Sequence, residues 1–473
     1  LISVVDVSTK FSRELISSTK QKDRQKKEHT AMNLAPPVNR AMTQLDRAFF
    51  KRTLSLVEAH FKEPKLVGQF VKQYARDMLK LKKVRNVHRY EDGTRGVILK
   101  EEVKSIDELQ KLSPESLGFL QTNNVTLKPY ELTLGYDFWK AEEILGAILP
   151  EQFLDEIPSG FTITGHIAHL NLRDEFKPYG ALIGQVILDK NPNIRTVVDK
   201  VGSIDTVFRT FSMKVLAGDN DLVVEQRESN CIFQFDFSKV YWNSRLHTEH
   251  DRLVSLFQEG ELVCDVMAGV GPFSVPAGKK RVFVMSNDLN PDGFYWMKNN
   301  LEKNKVLDYV QPLNLNGRTL IKECIKYSKE FSERRKGAVK YISKKRKNGE
   351  EPVYHELPIP KFINHFVMNL PDSALEFLNE YNGIYSAYSE LKEVPSFQLP
   401  MVHVYCFEKF SPDEAEPSEE ELQSRVHKRM CNIMDYDLDF KTLQFQLVRK
   451  VAPTKPMYRV TFRLPEEVAF RSI

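Results

Sequence analysis

Residues 264–273 read CDVMAGVGPF: an acidic residue after an apolar run, then two glycines spaced G-x-G. An apolar strand, LVCDVMAG, breaking into a glycine turn is how an α/β nucleotide-cofactor fold opens. Gly269 and Gly271 let a ligand approach the backbone, and the helix that follows offers unpaired N–H groups. A dinucleotide fingerprint needs a third glycine. Ser274 stands there instead, and Pro272 and Phe273 crowd the place of a pyrophosphate. Asp265 sets a carboxylate beside the turn, which suits a cationic amino-acid group better than a phosphate. Asp288 ends the next strand, RVFVMSND, about 20 residues past the glycines, where an acidic side chain binds ribose hydroxyls. The two acids together suit S-adenosyl-L-methionine, an amino acid at one end and a nucleoside at the other. The plain alternative makes Asp265 a strand-end cap and Asp288 a turn former.

Outward from this unit, β and α elements alternate. YVQPLN, HFVMNLP and MVHVYCFEKF read as further strands, and PDGFYWMKNNLEKN as a helix with Pro291 in its first turn. FQLVRKVA and MYRVTFRLP read as a terminal antiparallel pair. The order predicts a Rossmann-like, doubly wound α/β sheet over residues 251–473. A basic insertion, residues 333–352, interrupts it, and SPDEAEPSEEEL (411–422) is an acidic loop leading into a helix. Two smaller α+β domains precede it. Residues 43–150 hold a hairpin about Asp92-Gly93 and a strand leading into an amphipathic helix, LTLGYDFWKAEEILGAILP. Residues 151–250 read strand, helix (YGALIGQVILDKNP) and strand, followed by the paired strands of LVVEQRESNCIFQFDFSKVYW. Residues 1–42 form a tail and extended arm, whose basic first 31 residues read either as a presequence remnant or as a disordered tail.

The totals bound the function loosely. A chain of 473 residues implies two or three domains. With 68 basic and 64 acidic residues the net charge is +4, which neither demands nor excludes nucleic acid, so local clustering decides. The five cysteines have no C-x-x-C spacing, which argues against a zinc ribbon or a disulfide framework. No metal is expected, and no apolar run is long enough to span a bilayer.

Three further segments carry candidate chemistry. Asn316-Gly317, after the third strand, offers a polar side chain and bare backbone to an adenine, or is an ordinary Asn-Gly turn. In VMNLPD, Asn369 and Pro371 form an N-x-P turn whose amide can bond a planar base edge, or a helix start capped by Asp372 or Ser373. YWNSRLHTEHDRL packs Tyr241, Arg245, Glu249 and His250 together. Glu249 is either a solvated acid in a helix's first turn or a general base in a pocket.

Taken in order, GHIAHLNLRDEFKPYGALIGQVILDKNP, VFRTFSMKVLAGD, FDFSKVYWNSRLHTEHDRLV, DVMAGVGPF, NDLNP and VMNLP resemble the eukaryotic and archaeal tRNA (guanine-37-N1)-methyltransferases, over about residues 130–410. PPVNRAMTQLDRAFF resembles the eukaryotic members' N-terminal domain. The resemblance implies a class I methyltransferase fold and methyl transfer from S-adenosyl-L-methionine to N1 of guanosine-37, the first step toward wybutosine in phenylalanine tRNA. It implies Glu249 as general base, Arg209 (in VFRTF) as the cation on guanine O6, and Asn369 and Pro371 beside the target base, with Tyr241 in the same catalytic group. It implies Asp265, Gly269, Gly271, Asp288, Asn316 and Asn369 about the cofactor, with His250, Leu289 and Gly317 as neighbours. NLPD in place of a tighter N-P-P turn, and Asn316 where many members carry Asp, depart from the family pattern. The resemblance further implies a monomer that binds the anticodon loop and body of tRNA, in the cytoplasm and mitochondrial matrix with a nuclear pool. Lys344, Lys345, Arg346 and Lys347 of the insertion are candidate phosphate contacts or a charged loop. Two rivals stand beside this reading. One is the wybutosine-pathway transferase that moves an aminocarboxypropyl group from the same cofactor. The other is a tRNA-binding protein without catalysis.

Overall fold

The structure, a computed structural model, describes residues 34–201, 208, 210, 212–342 and 353–472. It divides into two compact units, one holding residues up to Ser159 together with Arg173–Pro192, the other Gly160–Leu172 with Asn193 onward.

The first unit is built on an antiparallel sheet of order β2-β3-β1-β4: β1 (Arg52–Phe61), β2 (Val87–Arg89), β3 (Arg95–Ile98) and β4 (Thr126–Leu134). The β2–β3 pair is the hairpin expected about Asp92-Gly93. Strand alternation sends Val57, Ala59 and Phe61 of β1 into a core shared with Phe70 and Leu120. These last two come from helices α1 (Pro64–Gln73) and α2 (Pro114–Thr122), both of which begin on a proline, whose fixed φ suits the first turn. On the other face of β1 the buried Glu58 accepts a bond from Tyr90 Oη at 2.7 Å, and His88 Nε2 lies 2.6 Å from the same oxygen. Helix α3 (Ala141–Ile148) packs against α4 (Gly180–Lys190).

The second unit carries β5 (Thr162–Thr164), β6 (Ile167–Leu170), β7 (Thr196–Val201) and β8 (Ser212–Gly218) as one four-stranded sheet, and β9 (Val223–Glu228) with β10 (Cys231–Asp236) as a hairpin. Helix α5 (His247–Leu256) leads into the large sheet. Its strands are β11 (Leu262–Asp265), β12 (Phe283–Asn287), β13 (Val310–Leu313), β16 (His365–Met368), β17 (Met401–Phe407), β18 (Gln444–Ala452) and β19 (Lys455–Arg463), in the order β13-β12-β11-β16-β17-β19-β18. The first five run parallel, and β19 and β18 add as the expected antiparallel pair. Every residue of β11, β12 and β16 is buried, as in a parallel sheet covered on both faces. One face packs α5, α6 (Ser274–Lys279) and α7 (Pro291–Lys303); the other packs α8 (Gly317–Lys322), α9 (Cys324–Arg334) and α10 (Glu419–Met434). The basic insertion begins on α9 and holds a short hairpin, β14 (Ala338–Ile342) with β15 (Tyr354–Pro358); Lys344 to Lys347 lie outside the described residues.

Helix α7 also serves as the partner of a strand edge. Asn300 Oδ1 accepts from Gln234 N at 2.7 Å and Asn304 Oδ1 from Ile232 N at 2.9 Å, both on β10.

Candidate active site

The sheet order turns at β11, whose neighbours β12 and β16 lead to opposite edges. A ligand crevice forms outside the carboxyl ends of strands at such a point. A cavity of about 690 Å³ lies there, walled by the loops after β11, β12, β13 and β16, by residues 240–246 and by the β18–β19 hairpin.

The glycine loop is held from the next strand. Asp288 Oδ2 accepts from Gly269 N at 2.7 Å, and Oδ1 from Asn290 N at 2.9 Å. Gly269 has φ +57 and Gly271 φ +91, the left-handed region in which a side chain is strained. Burial raises the pKa of Asp288, against the two backbone bonds that lower it. Asp288, Leu289, Gly269, Asn316, Gly317 and His250 all line the cavity. At Gly317 a Cβ would fall 2.8 Å from Val266 Cγ1, so the backbone there passes close to the first loop. Asn316 caps α8, its Oδ1 accepting from Arg318 N at 2.9 Å. Gly271 and Asp265 are not on the wall. Asp265 is fully buried one layer below, its Oδ2 accepting from Ser274 Oγ at 2.7 Å while Oδ1 has no partner. Burial pushes its pKa up to about 7. Ser274, the residue that breaks the dinucleotide pattern, is thus the one that holds Asp265.

Asn369 and Pro371 line the cavity beyond β16. Asn369 Oδ1 is buried without a hydrogen-bond partner, and Phe407 N donates to Pro371 O at 3.0 Å, which ties the turn to β17. Tyr241 lies on the wall and is half exposed. Arg209 lies outside the described residues; its neighbour Phe208 lines the cavity.

Glu249 stands apart. It is buried in the first turn of α5 and does not line the cavity. Tyr405 Oη and Arg459 Nη1 both donate to its Oε1 at 2.9 Å, and Arg252 Nη1 donates to Oε2 at 2.8 Å. Its neighbour His250 places Nδ1 2.5 Å from Glu228 Oε1 and its ring edge-on to Phe273.

Sequence reasoning missed several wall and support residues. Asn287, fully buried, donates from Nδ2 to Val266 O and Leu315 O, each at 3.0 Å, and accepts from Leu315 N at 2.8 Å. One amide therefore joins three strand ends. Lys200, Arg318, Arg449 and Lys455 join Arg245, which the sequence singles out, on the cavity wall, where among the described residues the carboxylates are Asp288 and Asp372. Burial lowers the pKa of Lys200, and brings His169 beside it down to about 4. Among the described residues one cluster has the spacing of a metal site, His427, Cys431 and Asp437, and none of the three lines this cavity. No helix among the described residues is long and apolar enough to cross a membrane.

Residues 224–350 match the TRM5/TYW2 methyltransferase domain family, and residues 141–221 the TYW2 N-terminal domain family. The tRNA (guanine(37)-N(1))-methyltransferase of Candida albicans strain SC5314 is 48% identical over 447 residues, covering 92% of this chain and 98% of that protein. That of Saccharomyces cerevisiae is 48% identical over 474 residues, covering 92% and 95%, and that of Schizosaccharomyces pombe 46% over 433, covering 91% and 95%. In structure the chain resembles Trm5b from Pyrococcus abyssi, with a TM-score of 0.52 at 22% identity, covering 87% of this chain and 99% of that one. It also resembles the aTrm5 chain of a complex with tRNALeu, with a TM-score of 0.54 at 16% identity and the same coverage. Likeness at that distance speaks for the fold, and the fungal relatives speak for the family: this chain belongs to the tRNA (guanine(37)-N(1))-methyltransferases.

Proposed function

We propose that this protein transfers the methyl group of S-adenosyl-L-methionine to N1 of guanosine-37 in tRNA. The observation that carries the reading is the Asn369 amide. Asn369 lines a switch-point cavity, its carbonyl oxygen is buried there without a partner, and with the side chain turned toward the cavity a guanine edge supplies the N–H that oxygen lacks.

The residues present fit the cofactor. The Gly269 loop, Asp288, Leu289 and the Asn316–Gly317 backbone form a cradle with a carboxylate on one side and bare backbone on the other. The cofactor supplies an electrophilic methyl group on a sulfonium, so the protein's task is to bring up a nucleophile and remove its proton. Asp265 supports the cradle from below through Ser274. Asn287 fixes the strand ends on which the cradle rests.

Guanine N1 is a poor nucleophile while it holds its proton. Glu249 takes that proton, and Arg209 stabilises the charge that moves to O6, by the logic of an oxyanion hole. A loop base leaves its stack to reach such a site, and Asn369, with Pro371 stiffening its turn, reads the base edge. Glu249 lies off the cavity wall with both oxygens engaged by other donors, so to act as base the carboxylate must turn toward the cavity and exchange at least one of those donors for the N1 proton. Those bonds also favour a second role for the residue, as the anchor that ties α5 to β17 and β19.

The test is methyl transfer to a tRNA transcript carrying guanosine or adenosine at position 37, with the product weighed. Guanosine-dependent gain of one methyl group is expected. The heavier aminocarboxypropyl adduct, or binding without transfer, would overturn the reading.

A further inference from the structure

The β18–β19 hairpin brings a cation to the cavity by a break in its own register. Leu447 pairs with Tyr458, and Arg449, not Val448, pairs with Met457. Val448 is therefore an extra residue, a bulge, and a bulge moves every side chain beyond it to the opposite face. A second irregularity follows between Lys450 and Ala452. The outcome is that Arg449 and Val451 stand on the cavity wall with Lys455 and Met457. Bulges gather beside active sites because they re-aim a side chain in this way.

The neighbouring cations are occupied. Lys455 Nζ lies 3.2 Å from Asp372 Oδ1 and 3.8 Å from the centre of the Phe407 ring. Arg318 bonds Asn379 and Glu380, and Arg245 donates to Thr162 Oγ1 at 3.1 Å. Arg449 is half-buried and pairs with no carboxylate among the described residues. A half-buried guanidinium on a wall with few acids among its described residues suits an anion, and its fork matches a phosphate. In sheet order β18 lies at the opposite end from β12 and β13, whose loops form the cofactor cradle, and β16 with Asn369 lies between them.

We propose that Arg449 binds a backbone phosphate of the RNA next to the target nucleotide. The assignment rests on the RNA methylation proposed above. The anion chemistry is shared with the carboxylate of S-adenosyl-L-methionine, so the test separates the two. The full chain carrying Arg449→Gln or Arg449→Lys is compared with wild type for tRNA affinity over a range of salt, for single-turnover rate at saturating tRNA, for cofactor affinity by calorimetry, and for melting temperature. Arg449→Gln is expected to weaken tRNA binding by about 10- to 100-fold. It should lower the slope of log affinity against log salt by about 0.7, the value for one single-stranded phosphate. Cofactor affinity and melting temperature stay at wild-type values. Arg449→Lys keeps the charge and restores the slope with part of the affinity. A tRNA bearing one methylphosphonate beside guanosine-37 should abolish the difference between wild type and Arg449→Gln. Weakened cofactor binding in Arg449→Gln would assign the residue to the cofactor's carboxylate and overturn the proposal, as would wild-type tRNA affinity and slope. If wild type does not methylate the unmodified guanosine-37 transcript, the functional reading falls first and this assignment with it. If wild type turns over and Arg449→Gln matches it, the assignment alone falls.

Discussion

Glu249→Gln separates the two roles of that residue. The wild-type carboxylate is 4% exposed and faces Arg459, whose side chain is 8% exposed. Glutamine keeps Oε1 as an acceptor for Tyr405 and Arg459 but removes the charge that balances the buried guanidinium. Its amide nitrogen would meet Arg252 donor to donor, but Arg252 is 40% exposed and can turn to water. The loss therefore centres on Arg459. Breaking a buried pair costs about 3–5 kcal/mol, and because one hydrogen-bond acceptor remains, the lower end, about 3 kcal/mol, is expected. Urea unfolding measures this. The rate is read separately, by single-turnover methyl transfer at saturating tRNA and cofactor, on protein shown to be folded under the assay conditions. Removing a general base lowers that rate by about 10²- to 10⁴-fold. A rate near wild type refutes the base, and unchanged unfolding free energy refutes the anchor. Tyr405→Phe is the control, since it removes one donor to Glu249 without touching the proton acceptor. It should cost about 1.5–3 kcal/mol of stability and a far smaller share of the rate.

Asp288→Ala frees the Gly269 and Asn290 amides and should weaken cofactor binding by about tenfold or more; unaltered calorimetric affinity would remove Asp288 from the pocket. Asp265, with its folded pKa up at about 7 against an unfolded value of about 3.9, holds a proton in the native state that the unfolded chain has already released. Its contribution to stability is present at low pH and is lost as pH rises from about 4 to about 7. Asp265→Asn should flatten that fall and be more stable than wild type at pH 8; parallel stability curves between pH 5 and 8 would contradict this. Gly96→Ala would put a methyl group 2.5 Å from both Glu58 Oε2 and His88 Nε2, and should destabilise the first unit by about 1–3 kcal/mol in chemical denaturation. Wild-type stability there would mean that the Glu58 cluster yields easily.

The parallel sheet was legible because its strands are short apolar runs separated by helical periods, and because the terminal pair alternates. The loop after β11 was legible for a related reason: glycines at φ +57 and +91 mark where the backbone must bend. What sequence could not show is where side chains go once strands are assembled. Glu249 meets Tyr405 and Arg459, which lie 156 and 210 residues away. No local spacing encodes such a meeting, so first-turn acid and pocket base could not be told apart. Its place before the glycine turn predicts that Asp265 faces the ligand. Its direction is set instead by Ser274, the first residue of α6. Arg449 was hidden by a different cause. Alternation in FQLVRKVA gives its facing only if the register is unbroken, and the bulge at Val448 is a property of the pairing with β19.

The Asn300–Asn304 contact with β10 has a consequence for length matching. Four residues of helix rise about 6.0 Å, and two residues of antiparallel strand about 6.8 Å. A helix can therefore imitate a neighbouring strand for one repeat at a misfit of about 0.8 Å, and a third rung would already be out by about 1.6 Å. The imitation works because the hairpin is short. Inserting a single residue between Asn300 and Asn304 would swing one amide about 100° around the helix and leave half the edge of β10 without its donor's partner. The hairpin and the cofactor-fold helix are thus geared to each other, and neither can change length by one residue without disengaging.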